Sequence, residues 1–340
     1  MNAWTCMEAS DTDISGWQLR ATEDGIQVLD SILWLDARFT RDLSFLSSAC
    51  CLSGRTEARV ISTEETVKLL AINNIKLNAL ICPYNQIVSL GQLRMELLPS
   101  GAGLGAASLW VEQRQGSLLY APQLQPQKTG ITRLMQLKHA DTLILGARHP
   151  YPAHHHPSRK KEKDRLLHAL QQRMAEGEYP VILCEPYAVA QEICRFLTEH
   201  GIEPAVHKSI YRINQIYGMY GSDLGSYSLL HKRLREKKVL ILPLSTFSKP
   251  NDRRPLPEGP IFCVEESTLQ TSWPDLRRPV AERFFISSSG DGRELKSIIQ
   301  SVSPREVFVT GPYAKQYAEE LSTQKLAVHA LYPSHLPTLF

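Results

Sequence analysis

The groups that could do chemistry in this chain are few and clustered. His154, His155 and His156 are consecutive and could bind a transition metal. Adjacent residues do not converge on one ion without ligands from elsewhere, so a solvated loop is the simpler reading. Cys50 and Cys51 could be a reactive thiol or a zinc ligand, but no C-x-x-C occurs there and buried structural cysteine is commoner. Two basic clusters could contact phosphates: Arg159, Lys160, Lys161, Lys163 and Arg165, then Lys232, Arg233, Arg235, Lys237 and Lys238 after His231. Charge runs are ordinarily solvated helix and loop faces. Tyr211, Tyr217, Tyr220 and Tyr227 could stack on bases, or serve as core and surface tyrosines. Gly101, Gly103 and Gly105 alternate, but the lysine and hydroxyl residue of a phosphate loop are missing.

The elements that must position these groups point to an α/β fold. Residues 25–29, 31–35, 93–98, 107–113 and 117–120 read as short strands, with turns at Gly91-Gln92 and Gln115-Gly116. Residues 63–71 read as a helix with Thr63 as N-cap. Residues 142–145 form an apolar run suited to a fully buried strand. Residues 149–164 are polar, basic and proline-containing, which predicts a loop leading into a helix over 165–176. A strand (180–184), a helix (189–200) closed by Gly201, and a strand (202–207) then make a β-α-β unit, which implies parallel pairing. Strands over 238–244, 261–264, 283–286 and 306–310 and helices over 293–301 and 313–323 complete the reading.

The chain has 340 residues, a formal charge of +3 and 43% hydrophobic residues, which excludes wholesale disorder and does not by itself signal nucleic-acid binding. The N-terminal residues lack the apolar region of a secretory signal. No apolar run approaches the ~18 residues of a membrane span. Seven irregularly spaced cysteines are read most simply as reduced, so a cytoplasmic protein is expected.

A series of anchors in order resembles the metallo-β-lactamase-fold nucleases, most of all the ligase-associated DNA exonucleases. Leu35-Asp36-Ala37-Arg38 is similar to the family's L-D-P-R, and the run 98–107, LPSGAGLGAA, to L-P-A-G-H-x-L-G-S-A. Residues 119–123 stand in place of Y-T-G-D, residues 141–147 in place of D-x-L-I-x-E-[AS], and Ala190-Gln191-Glu192 matches part of a helix start, G-K-A-Q-E. Residues 286–291 replace L-S-D-H-A-D, and residues 309–312 replace V-T-H-G. The resemblance implies a four-layer αββα sandwich. Its first half would span 1–150, an inserted α/β cap 151–245, and its second half 246–340.

In that family two metal ions activate water against a phosphodiester, held by imidazole and carboxylate donors. Here the first ligand cluster becomes Ser48, Cys50, Leu52 and Ser53, and the next histidine becomes Ala102. The bridging aspartate becomes Gln123, the late histidine Ser289, and the last ligand histidine Gly311. Gly146 replaces a supporting acidic residue, whereas Asp36, Gly101, Gly105, Tyr120 and Asp141 are retained. The resemblance therefore implies a pseudoenzyme without metal or other cofactor. Its expected role is a scaffold or regulatory subunit for an active nuclease, helicase or ligase. The alternatives are an exonuclease with a remodelled metal site, and a nucleic-acid-binding module using Arg159, Lys160, Lys161, Lys232, Arg233 and Arg235.

Overall fold

The computed structural model describes residues 16–29, 31–37, 42–50, 59–148, 155–231, 238–246, 258–266, 279–322 and 326–332. Among these, six strands in chain order make a first sheet: β1 (Leu19–Thr22), β2 (Gly25–Val28), β3 (Leu33–Leu35), β4 (Leu43–Phe45), β5 (Arg59–Ser62) and β6 (Asn78–Ile81). A second sheet starts as an antiparallel meander of β7 (Ile87–Leu90), β8 (Leu93–Pro99), β9 (Ala107–Gln113) and β10 (Gly116–Ala121). It continues in parallel through β11 (Thr142–Gly146), β18 (Glu306–Thr310) and β19 (Ala327–Ala330).

Strand alternation explains why the second sheet is apolar on both faces. Leu109, Val111, Leu118, Tyr120, Ile144 and Phe308 join Leu33, Leu35, Phe45 and Ile61 of the first sheet in one core. Their neighbours Trp110, Leu119, Leu143, Leu145, Val307 and Val309 point to the opposite face. There they meet Leu295, Ile298 and Val302 of α5 (Gly292–Val302) and Tyr317 and Leu321 of α6 (Ala314–Ser322). The outer face of the first sheet carries α1 (Glu64–Ala71), whose Leu69 and Leu70 pack with Leu46 and Val60. As predicted, Thr63 caps α1, its hydroxyl accepting from the Thr66 amide at 3.3 Å.

The third sheet is parallel throughout, in the order β14 (Ser228–Leu229), β13 (Ala205–Val206), β15 (Leu240–Pro243), β12 (Val181–Cys184), β16 (Ile261–Glu265), β17 (Val280–Phe285). Helices α2 (Arg159–Ala175), α3 (Val189–Glu199) and α4 (Lys208–Met219) accompany it. Fully burying a leucine or phenylalanine contributes about 1.5–3 kcal/mol. α3 commits Val189, Ile193, Phe196 and Leu197 to this unit's core. The α/β class is as expected. The sheet nevertheless runs past the expected boundary at 245, because β16 pairs with β12 and β17 with β16.

Three further differences have local causes. α2 starts at Arg159 rather than Arg165, because the Ser158 hydroxyl caps it and Glu162 is buried, binding Arg165 at 2.6 Å and the Phe285 amide at 2.9 Å. α4 was not expected; His207 caps it, its ring nitrogen accepting from the Ser209 amide at 3.2 Å. Strands β1, β5, β6, β7 and β14 are short segments that the sequence did not resolve. No helix among the described residues is long and apolar enough to cross a membrane.

Candidate functional site

Asp36, Ser48, Cys50, Ala102, Gln123, Ser289 and Gly311 lie on loops that follow strands of the three sheets, and contacts link several of these loops. Asp36 follows β3 with φ +49°. Its carboxylate accepts from the Ser47 amide (2.7 Å), the Ser47 hydroxyl (2.6 Å) and the Tyr120 hydroxyl (2.8 Å), tying the loop after β4 to β10. Ser48 is buried beside it in sequence, and Cys50 is exposed. Leu52 and Ser53 lie outside the described residues. The Ala107 amide donates to the Ser47 carbonyl at 2.8 Å, bringing the glycine-rich loop 100–106 alongside.

That loop is held by backbone contacts. Gly101 has φ +76°, and a Cβ there would sit 2.2 Å from the Gln125 carbonyl oxygen, so only glycine fits. The Gly105 carbonyl accepts from the hydroxyls of Thr63 (2.7 Å) and Thr66 (2.9 Å) at the start of α1. Ala102 is buried. The Leu104 amide donates to the hydroxyl of Tyr217, which α4 of the third unit delivers at 3.0 Å. Cys50 lies near Tyr187 and Tyr217 and helps, behind burial, to raise the pKa of both phenols.

Where the loop after β10 meets the loop after β17, a seam between the second and third sheets, the Gln123 amide donates to the Ser288 hydroxyl at 2.8 Å, and that hydroxyl donates to Glu266. The Glu266 carboxylate also accepts from the Ser288 amide at 3.0 Å. Gln125 donates to the Ser287 carbonyl (2.8 Å), and the Gly290 amide to the Leu124 carbonyl (2.7 Å). Ser289 is buried. Gly311 has φ +108°, and a Cβ on it would meet the Ala147 carbonyl oxygen at 2.7 Å. A Cβ on Gly146 would meet the Pro122 carbonyl oxygen at 1.9 Å.

Two glutamates and Arg148 meet at the seam. Glu185 and Glu266 directly follow β12 and β16, the strands at which the third sheet changes direction of growth. Burial, then Glu266, push the Glu185 pKa up, and Arg148 opposes them. Burial pushes Glu265 to about 7 against the pull of Arg283, 3.3 Å away. The sequence reading missed both glutamates at the seam. Their signal was a carboxylate at the carboxyl end of a parallel strand, where open α/β sheets place their sites.

The basic cluster divides. Arg159 faces inward, 3.2 Å from Glu192 and donating to the Ser287 carbonyl at 2.6 Å, and Lys163 lies 3.3 Å from the same glutamate. Arg159 is thus engaged inside the protein, whereas Lys160 and Lys161 are exposed. Lys232, Arg233 and Arg235 lie outside the described residues, as does His154. His155 stands 3.8 Å from Asp291, and the His156 amide donates to that carboxylate at 3.0 Å. Tyr217 is core, and Tyr211 and Tyr227 meet edge-to-face at 5.7 Å.

These residues do not fit a dinuclear metal centre. Ala102 and Gly311 carry no donor atom, Gln123 is a neutral amide already bonded to Ser288, and Asp36 has three hydrogen-bond donors of its own. Among the described residues no three of His, Cys, Asp and Glu stand close enough to hold an ion. A depression of about 390 Å³ lies away from the seam at the end of α3, where Arg195 pairs with Glu199 at 2.7 Å and Glu203 with Lys238 at 2.6 Å.

No family model matches the chain, and no curated protein matches it. Among solved structures it is similar to a crystal structure of a protein of unknown function from Enterococcus faecalis V583. The identity is 13% and the TM-score 0.58, over 87% of this chain and 80% of that one. At that identity the likeness concerns the fold alone.

Proposed function

We propose that this chain is a non-catalytic relative of the metallo-β-lactamase-fold nucleases, with a four-layer αββα body and an inserted α/β cap. It serves as a scaffold or regulatory subunit in a nucleic-acid repair or processing assembly. The observation that carries this reading is the Gln123–Ser288–Glu266 chain. The position that the resemblance gives to a metal-bridging aspartate is instead one half of a hydrogen bond between the body and the third unit. Gly146 and Gly311 add to it, since backbone carbonyls occupy the space that side chains at those positions would need. The retained Asp36 is explained by its donors Ser47 and Tyr120.

The partner is an active nuclease, helicase or ligase. Affinity capture of the full-length chain from its native host, with mass spectrometry, tests this directly. The expected result is one enriched nucleic-acid enzyme. Elemental analysis showing about two bound metal ions per chain, or nuclease activity lost on Asp36→Ala or Cys50→Ala, would overturn the proposal in favour of a remodelled enzyme. Salt-dependent DNA or RNA binding that Lys160→Glu and Lys161→Glu abolish, with no protein captured, would favour the binding module instead.

A further inference from the structure

Leu80, Ile81 and Ile87 are 44%, 41% and 51% exposed, and all three lie on β6 and β7. β6 is the last strand of the first sheet and β7 the edge of the second. Only residues 82–86 separate them, so two sheet edges emerge side by side, about 10 Å apart as packed sheets are. Among the described residues β6 pairs only with β5, and β7 only with β8. Their sequences, Asn78-Ala79-Leu80-Ile81 and Ile87-Val88-Ser89-Leu90, contain no charge and no proline. Charges, prolines and bulges are the usual guards against edge-to-edge pairing.

We propose that a second copy of this chain covers this edge, related by a two-fold axis normal to the sheets, with β7 pairing antiparallel to β7 of the other copy and β6 facing β6. A single peptide strand would extend one sheet and leave the other edge bare. Covering Leu80 and Ile87 together takes a partner that presents two edges at the same spacing, and this chain presents them. Rotation about such an axis reverses strand direction, which gives the antiparallel ladder, and keeps inner faces inner.

The register follows from the pattern of β7. Val88 and Leu90 pack against the inter-sheet core, whereas Ile87 and Ser89 are exposed. Setting Ser89 opposite itself places Val88 against Leu90 of the other copy, so the apolar row between the sheets continues across the axis. Because β7 is uncharged, self-pairing sets no like charges opposite each other. This inference is independent of the function proposed above, since it uses only the edge strands.

Sedimentation of the purified full-length chain across a concentration series tests it. The expected species has twice the chain mass. Ile87→Lys, at a position already open to solvent, should weaken self-association by at least about tenfold while leaving the thermal midpoint of the dilute protein unchanged. Ser89→Cys should form a disulfide-linked dimer under mild oxidation, whereas Ser226→Cys, exposed on another face, should not. A wild-type chain that stays monomeric at every concentration overturns the proposal, even if β7 then accepts a strand from another protein. So does a dimer that Ile87→Lys leaves intact, or Ser89→Cys chains that cross-link no more than the control.

Discussion

Replacing Asp36 separates a structural carboxylate from a surviving metal ligand. The side chain accepts three hydrogen bonds, two from Ser47 and one from Tyr120, at 2.6–2.8 Å. Hydrogen bonds to a charged group contribute about 1.5–3 kcal/mol each when buried, and the half-buried site lowers that. Asp36→Ala removes all three and leaves the Ser47 amide and Tyr120 hydroxyl without this acceptor. It also forces an alanine into φ +49°, which costs about 1–2 kcal/mol more. A loss of roughly 3–5 kcal/mol is expected, near the upper end for single substitutions. Asp36→Asn keeps an acceptor for the Ser47 amide, can donate its amide to the Tyr120 and Ser47 oxygens, and tolerates the left-handed backbone; it should cost roughly 1–2 kcal/mol. Thermal unfolding, with and without added zinc or manganese, reads both variants. The expected midpoint order is wild type, Asn, Ala, unaffected by metal. The reasoning is refuted if Asp36→Ala unfolds with wild-type stability. It is also refuted if metal stabilises the wild type and Asp36→Ala removes that gain.

Two other substitutions probe the seam. The folded-state pKa of Glu265, about 7, lies above its unfolded value of 4.5, so the native state holds more protons in this window. Stability should therefore fall as pH rises from about 4.5 to 7, by at most roughly 3 kcal/mol, and Glu265→Gln should flatten that slope in urea titrations at pH 5, 6, 7 and 8; an unchanged slope would show that the glutamate does not titrate there. Tyr217→Phe keeps the ring but strips the acceptor from the Leu104 amide, a loss of about 1–3 kcal/mol. Hydrogen exchange at residues 103–105 should accelerate, and unchanged exchange there would mean that Tyr217 does not hold the third unit to the glycine loop.

Local chemistry was legible in the sequence and tertiary chemistry was not. Thr63, β9 and β18 were readable because a capping hydroxyl and a short apolar alternation act over a few residues. α4 shows its buried face at Ile210, Ile213, Asn214 and Tyr217, a helical spacing, yet its isoleucines and tyrosines favour strands and hid it. β6 and β7 are four residues each and carry apolar side chains on both faces, so their sequences lack the apolar–polar alternation that marks a half-buried strand. At the site, the resemblance named positions to look at, such as Gln123 and Gly311. It could not name Ser288, 165 residues along the chain from Gln123, or Tyr217, 113 residues from Leu104. Those partners are set by how the third unit docks, which no local pattern encodes.

The polar groups at the seam are partly paired with one another. A buried polar group left without a partner costs about 1–3 kcal/mol. Gln123 and Ser288 are paired, and Ser288 in turn holds Glu266, whereas the buried Ser289 hydroxyl has no hydrogen-bond partner among the described residues. At Gly146 and Gly311 the carbonyl oxygens of Pro122 and Ala147 stand where a side chain would need room. Ala188, at the start of α3, has φ +62° and ψ −60°, and the Val189 amide donates to the Tyr187 carbonyl at 2.7 Å across it. This is the strained form of a γ-turn. It lies in the segment between Tyr187, which accepts from Asn73 at 3.3 Å, and α3. Strain of this kind persists only where surrounding contacts over-determine the backbone. The anchors on either side supply that constraint: Tyr187 to Asn73, Tyr217 to Leu104, Ser222 to Ile131 and Arg159 to Ser287. Each runs between the third unit and the rest of the chain or between α2 and the loop after β17. The first three hold the third unit against the body.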